Sequence, residues 1–245
     1  MSQTVSDASQ AAGDVLPLAH EVPQATDRRT RRTRLALRDA LAEEITATGD
    51  LSRVTVTAVT GRAGVTRRTF YSHYKDISDL VNCIEKETIA ALRPLVAQLS
   101  SVHLDELSDA INHQEPCPGS QEILSYVKEC GSYLRPLLGK GGDPAFSQRL
   151  RAMVHEVVAG RALDGIDLRA VGAFFDYYLT FAISAEVGVL LRWLEGGMHE
   201  SVRTMARIMT ALMFVRPGDL YDSPIELDLP GFALAVMLPD EEDNN

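Results

Sequence analysis

Val54–Lys75 reads VTVTAVTGRAGVTRRTFYSHYK, and this stretch decides the fold. Thr55 is a helix cap, and Val56, Val59 and Ala63 recur behind it at helical spacing, so a short helix is predicted from about Val56. Gly64 ends it, because a glycine just past the last periodic residue takes the left-handed backbone that stops a helix. Thr66 then caps a second helix starting near Arg67. On that helix Phe70 and Tyr74, four residues apart, share one face and turn inward, leaving Arg67, Arg68, Thr69, Tyr71, Ser72 and His73 outward. Two short helices about a glycine turn, the second apolar inside and rich in donors outside, make a helix-turn-helix. Arginine forks match guanine edges or phosphates, hydroxyls match either, and a helix N-terminus favours phosphate. The candidate contacts to double-stranded DNA are therefore Thr55, Arg67, Arg68, Thr69, Tyr71, Ser72, His73 and Lys75. An ordinary helical hairpin with a solvated charged face is the competing reading.

Working outward, Leu37, Leu41 and Ile45 lie on one face of a preceding helix that Gly49 stops. With those residues in place, AGVTRRTFYSHYKDISDLV (63–81) resembles the N-terminal domain of TetR/AcrR-type bacterial repressors, in which a glycine-valine turn precedes an aromatic, tyrosine, x, histidine, aromatic ending. The resemblance covers roughly Arg31 to Leu80, a three-helix domain plus the start of a fourth helix. Two positions depart from it. Ile77 stands where the family usually has a phosphate-contacting lysine, a contact Lys75 is placed to replace. Gly61 lies inside the first helix of the motif, where it costs about 0.5–1 kcal/mol against alanine.

The formal charge of −10 hides a division near Lys75. Arg28 to Lys75 holds 11 Lys and Arg against 4 Asp and Glu, which leaves 13 basic and 30 acidic residues for the remainder. A basic head on an acidic body fits phosphate binding by one end, with the body's field discouraging non-specific wrapping of DNA. Arg28, Arg29, Arg31, Arg32 and Arg34 read either as a flexible arm extending the footprint or as a solvated helix start.

A chain of 245 residues, 45% of them hydrophobic, can bury one large core or two modest ones. Residues 1–27 are poor in large apolar groups, contain no signal-peptide pattern, and read as a disordered tail. No segment reaches the roughly 20 apolar residues of a membrane span, and a cytoplasmic protein is expected. Cys83, Cys117 and Cys130 have no CxxC spacing and no neighbouring paired histidines, so neither a metal site nor a disulfide framework is expected. GxSxG, HExxH and a complete phosphate loop are all absent, and neither catalysis nor a cofactor is expected.

The fold class expected is all-α: a DNA-binding head over 28–75, a helical ligand-binding and dimerisation body over 76–214, and a C-terminal tail over 215–245. In the body, helices are predicted over Ile77–Leu99, with Pro94 as a kink, then Gln121–Leu138, Pro144–Arg161, Leu168–Leu194 and Ser201–Phe214. Ser100–Ser120 reads as looser chain. Polar or aromatic residues on otherwise apolar faces give Tyr126, Cys130, Arg151, His155 and Tyr178 as candidate ligand-pocket groups, although each also fits a satisfied core residue.

The last two helices are apolar over more surface than one contact needs, which points to a partner subunit meeting Phe174, Tyr178, Ala182, Val189, Trp193, Met205, Met209 and Leu212. Burial within the monomer is the other reading. The segment YYLTFAISAEVGVLLRWLEGGMHES (177–201) resembles the end of the C-terminal domain in a branch of the same family that includes a dihydroxyacetone-kinase regulator. The resemblance implies a homodimeric transcriptional regulator, a repressor released from a palindromic operator by a small effector. The alternative is a co-activator or adaptor of the same fold acting through a protein partner, for which the apolar stretch IELDLPGFALAVML (225–238) provides surface.

Overall fold

The computed structural model describes residues 25–162 and 172–213. Residues 1–24 of the expected N-terminal tail, the whole expected C-terminal tail, and the stretch in which the penultimate helix was expected to begin at Leu168 lie outside the described residues. Among the described residues the chain is all-α, with ten α-helices and one 3-10 turn. None of these helices is long and apolar enough to cross a membrane.

The head comprises α1 (Ala25–Thr48), the 3-10 turn Leu51–Arg53, α2 (Val56–Ala63) and α3 (Arg67–Tyr71). Helix α1 starts early enough to contain the whole arginine run, so Arg28–Arg34 form helical turns and not an extended arm. Leu37, Ala40, Leu41 and Ile45 make its buried stripe, at the 3–4 residue spacing that puts side chains on one helical face. The Arg34 Nε donates to the Tyr74 hydroxyl at 3.2 Å, and its guanidinium pairs with Glu87 of α4 (Ile77–Leu99). Gly49 stops α1 with φ +69°.

Helix α4 passes from head to body. Asp76 caps it by accepting from the Asp79 amide at 2.8 Å, and Leu80, Val81, Ile84, Thr88, Leu92 and Val96 line its buried side. It continues past Pro94 to Leu99. The looser chain expected after it contains a further helix, α5 (Leu104–Asn112), because Leu107, Ala110 and Ile111 supply one turn-spaced apolar strip. The expected helix Gln121–Leu138 is divided into α6 (Ser120–Glu129) and α7 (Gly131–Leu138). The break falls at Cys130, whose backbone sits at φ −89°, ψ 0°, immediately before buried Gly131. Helices α8 (Pro144–Ala162), α9 (Gly172–Glu195) and α10 (Val202–Leu212) follow, the last capped by Ser201, which accepts from the Thr204 amide at 3.1 Å.

One buried apolar cluster runs from Leu37, Leu41 and Phe70 in the head, through Ile84 and Leu92 of α4, to Phe146, Trp193 and Met205 in the body. Helix α7 joins the two parts by packing along α1. There the Arg38 guanidinium lies 4.3 Å from the centre of the Tyr133 ring, a cation–π contact. The body closes at its far end where the Cys117 amide donates at 2.8 Å to the buried Thr210 hydroxyl of α10.

Candidate nucleic-acid interface

The helix-turn-helix is assembled by three local devices. Thr55 accepts from the Ala58 amide at 3.2 Å and Thr66 from the Thr69 amide at 3.1 Å, each satisfying one orphan donor of a helix start. Between them Gly64 sits at φ +64°, ψ +30°, and the Val65 amide reaches back to the Thr60 carbonyl at 3.0 Å. Phe70 is fully buried, Tyr74 nearly so, and their ring centres are 5.8 Å apart. These anchors fix a recognition helix of only five residues by its inner face.

Arg67, Arg68, Tyr71, Ser72 and Lys75 are all exposed beside this anchor. Tyr71 is 59% exposed, with its ring held edge-on to Phe70 at 5.5 Å and 88°. Thr69 and His73 are half-buried, the first sharing a hydrogen bond with Thr66 at 2.9 Å and the second lying 6.1 Å from the Tyr74 ring. Ser72 donates to the Thr69 carbonyl at 2.7 Å, which leaves its lone pairs outward. Thr55 is exposed with its oxygen engaged in the cap, so only its proton remains for a phosphate. One outward group escaped the sequence reading: Thr57, on the first turn of α2, whose hydroxyl accepts from the Arg67 guanidinium. A threonine next to a valine on an apolar helix carried no distinguishing signal.

Ile77, the departure from the phosphate-contacting lysine, is half-buried and packs against the core. The Lys75 amide donates to Asp79 at 2.9 Å, which orders the backbone there while the Lys75 side chain stays exposed. Behind the face, Arg62 of α2 reaches Glu44 at 2.7 Å and Glu43 at 3.1 Å on α1. The hydrogen bonds it donates to those two carboxylates raise its pKa. Burial pushes the Tyr74 phenol up, against the opposing bond from Arg34.

The five candidate pocket groups do not converge. Tyr126 and Cys130 are half-buried near the Thr88–Tyr133 hydrogen bond of 3.3 Å, where burial raises the phenols of both tyrosines. Arg151 reaches Ser147 of its own helix, 3.5 Å away, while His155 lies 3.2 Å from Asp176 of α9 and Tyr178 is 47% exposed. The small void in the body is lined instead by Thr88, Leu92, Val127, Leu134, Phe146 and Leu194 among others, and at about 10 Å³ it has room for one water at most. The polar group the sequence reading missed is Glu85. It is 1% exposed on α4, pairs with Arg149 of α8, and leaves its Oε1 without a partner. Desolvation pushes its pKa up to about 7, more than Arg149 pulls it down.

The candidate dimer residues also divide. Trp193 and Met205 are buried in the chain's own core, whereas Phe174, Ala182, Val189 and Met209 are half-buried and Tyr178 and Leu212 are exposed. The uncovered apolar surface is made mainly by Tyr177 at 70% exposure and Phe181 at 71% on α9, with Ile208, Leu212 and Met213 at the end of α10.

Residues 114–214, which hold α6 to α10, match the TetR_C_8 family, described as a transcriptional regulator C-terminal region. The chain is also similar to an uncharacterized HTH-type transcriptional regulator, YxbF, of Bacillus subtilis (strain 168), with 28% identity over 98 residues. That similarity covers 40% of this chain and 26% of the relative, so it spans about a quarter of that protein's length. The C-terminal match follows a capped helix-turn-helix in the same chain, and both similarities are to transcriptional regulators.

Proposed function

We propose that the protein is a cytoplasmic, homodimeric repressor that binds a palindromic operator through α2 and α3 and is released by a small effector bound in the body. It acts by binding and not by catalysis. The observation that carries this reading is the exposed cationic and hydroxyl face of α3, Arg67, Arg68, Tyr71 and Ser72, held rigidly from behind by buried Phe70 and Tyr74. A five-residue helix can reach base edges only from its first turn, and that turn carries both arginines. The exposed strip Tyr177, Phe181 and Gly188 on α9, with Leu212 on α10, supports pairing with a second copy. Two-fold symmetry would set recognition helices about 34–36 Å apart, one turn of DNA.

In this reading an effector favours a body more open than this one, whose small void of about 10 Å³ would not admit it, and so shifts the population away from the DNA-binding state. The decisive experiment is selection from randomised duplexes with purified protein, followed by a salt titration on the best site. A palindrome bound with a steep negative slope of log affinity against log salt supports the reading. Enrichment of no sequence by a folded dimer rejects it in favour of an adaptor working through a protein partner.

A further inference from the structure

The turn GKGGD, residues 139–143, joins α7 to α8 and touches the head directly. The Gly141 carbonyl accepts from the Leu51 amide at 2.7 Å, at the corner between α1 and α2. The approach is so close that a Cβ on Gly141 would collide with the Gly49 carbonyl oxygen. Gly142 has no room either, because a Cβ there would strike the Leu137 carbonyl oxygen. Two residues along the same turn, Asp143 accepts from the Ala145 amide at 2.8 Å and from Arg149 at 2.8 Å. Arg149 also pairs with the buried Glu85 of α4. One short turn therefore holds the corner of the head by its backbone and the linking helix α4 through an arginine bridge.

We propose that the 139–143 turn is a coupling clasp: a movement of α7 or α8 in the body is delivered to the α1–α2 corner through Gly141 and to α4 through Asp143, Arg149 and Glu85, so that the head shifts as a unit. This rests on the reading that the body regulates the head. The physical basis is that both ties leave little slack. The backbone bond requires a glycine at van der Waals limits, and the arginine bridge ends on a carboxylate that is 1% exposed. The turn is also stapled to α7 by the Asp143 amide, which donates to the Leu137 carbonyl at 2.9 Å, so it follows that helix.

The test is hydrogen exchange on the full-length protein, comparing wild type with Gly141→Ala and Asp143→Asn. Asparagine keeps the oxygen that caps α8 but loses the charge that holds Arg149. The expected result for Asp143→Asn is at least about tenfold faster exchange at the amides of Leu51–Val54, far along the chain, with α6 unchanged, since losing a tie worth about 1.4 kcal/mol is a factor of ten. Unchanged exchange at Leu51 in Asp143→Asn shows that the two ties act separately and overturns the clasp, whether or not Gly141→Ala folds. Operator affinity is the second arm. Loosened Leu51 exchange with unaltered affinity also overturns it, because the route then stops short of the reading face. If wild type binds no duplex at all, the repressor reading fails while the exchange comparison still decides whether body and head are coupled.

Discussion

Glu85 and Arg149 face each other across the α4–α8 contact, and the carboxylate uses only one of its two oxygens there, the other being buried with no partner. A half-satisfied buried carboxylate is costly, because its charge is stripped of water and balanced by Arg149 from one side. Its folded-state pKa, about 7, lies above the usual carboxylate value, which fixes the sign of its effect on stability. The folded state holds the proton more tightly than the unfolded chain. The contribution of Glu85 is therefore most favourable below about pH 4.5 and is lost as pH rises to about 7, a total of order 3 kcal/mol for a shift of that size. Glu85→Gln removes the titration. Urea unfolding of both proteins at pH 5 and pH 8 should show the variant gaining on wild type at the higher pH. An equal difference at the two values would show that Glu85 titrates normally.

The reading face gives a prediction independent of stability. Arg67→Ala together with Arg68→Ala removes two exposed side chains, so folding should be undisturbed and the thermal midpoint within a few degrees of wild type. Operator affinity should fall by at least about a hundredfold, since a good arginine–base or arginine–phosphate pair contributes about 1–3 kcal/mol. Thr57→Val should act more gently and through Arg67, whose guanidinium it holds. A selection repeated with that variant would then change preference at one position per half-site, while uniform weakening would mean that Thr57 contacts only the backbone.

The exposed face of α9 makes a third case. Tyr177 and Phe181 are each about 70% exposed, and Ser184, Ala185 and Gly188 below them are small enough to let a second helix approach closely. Phe181→Glu should convert a dimer to monomer in sedimentation at micromolar concentration without lowering helix content. Trp193→Ala, in contrast, should destabilise the monomer itself by about 3–5 kcal/mol, because Trp193 is buried in its own core. A Phe181→Glu protein that still sediments as a dimer would move the interface elsewhere.

Legibility in the sequence followed how local each determinant is. Thr55, Gly64 and Thr66 act on backbone within three residues of themselves, and all three adopt the conformations that their types and spacing imply. The bounds of α4 and the Ser201 cap were equally readable, being set by Asp76 and by a hydroxyl at a helix start. Long-range packing was not readable. Nothing in Gln121–Leu138 announces that the helix will divide at Cys130, or that Glu85, one acid among many on an amphipathic helix, will be buried against Arg149. The dimer candidates divided for the same reason: α9 and α10 are apolar on most sides, and sequence alone does not say which side the monomer keeps.

The two glycines of α2 should respond to alanine with opposite signs. Gly61 lies within the helix, with ordinary helical φ and open space around its would-be Cβ, so Gly61→Ala relieves unfolded-chain entropy at no steric cost and should stabilise by about 0.4–1 kcal/mol. Gly64, three residues on, sits at φ +64°, where alanine meets no neighbour but must adopt the left-handed region, costing of order 1 kcal/mol or more. Because Gly64 also sets the angle between α2 and α3, its variant should lose operator affinity beyond what instability explains, whereas Gly61→Ala should leave the angle alone. A Gly64→Ala midpoint at or above that of wild type would show that the turn does not depend on a left-handed residue at 64.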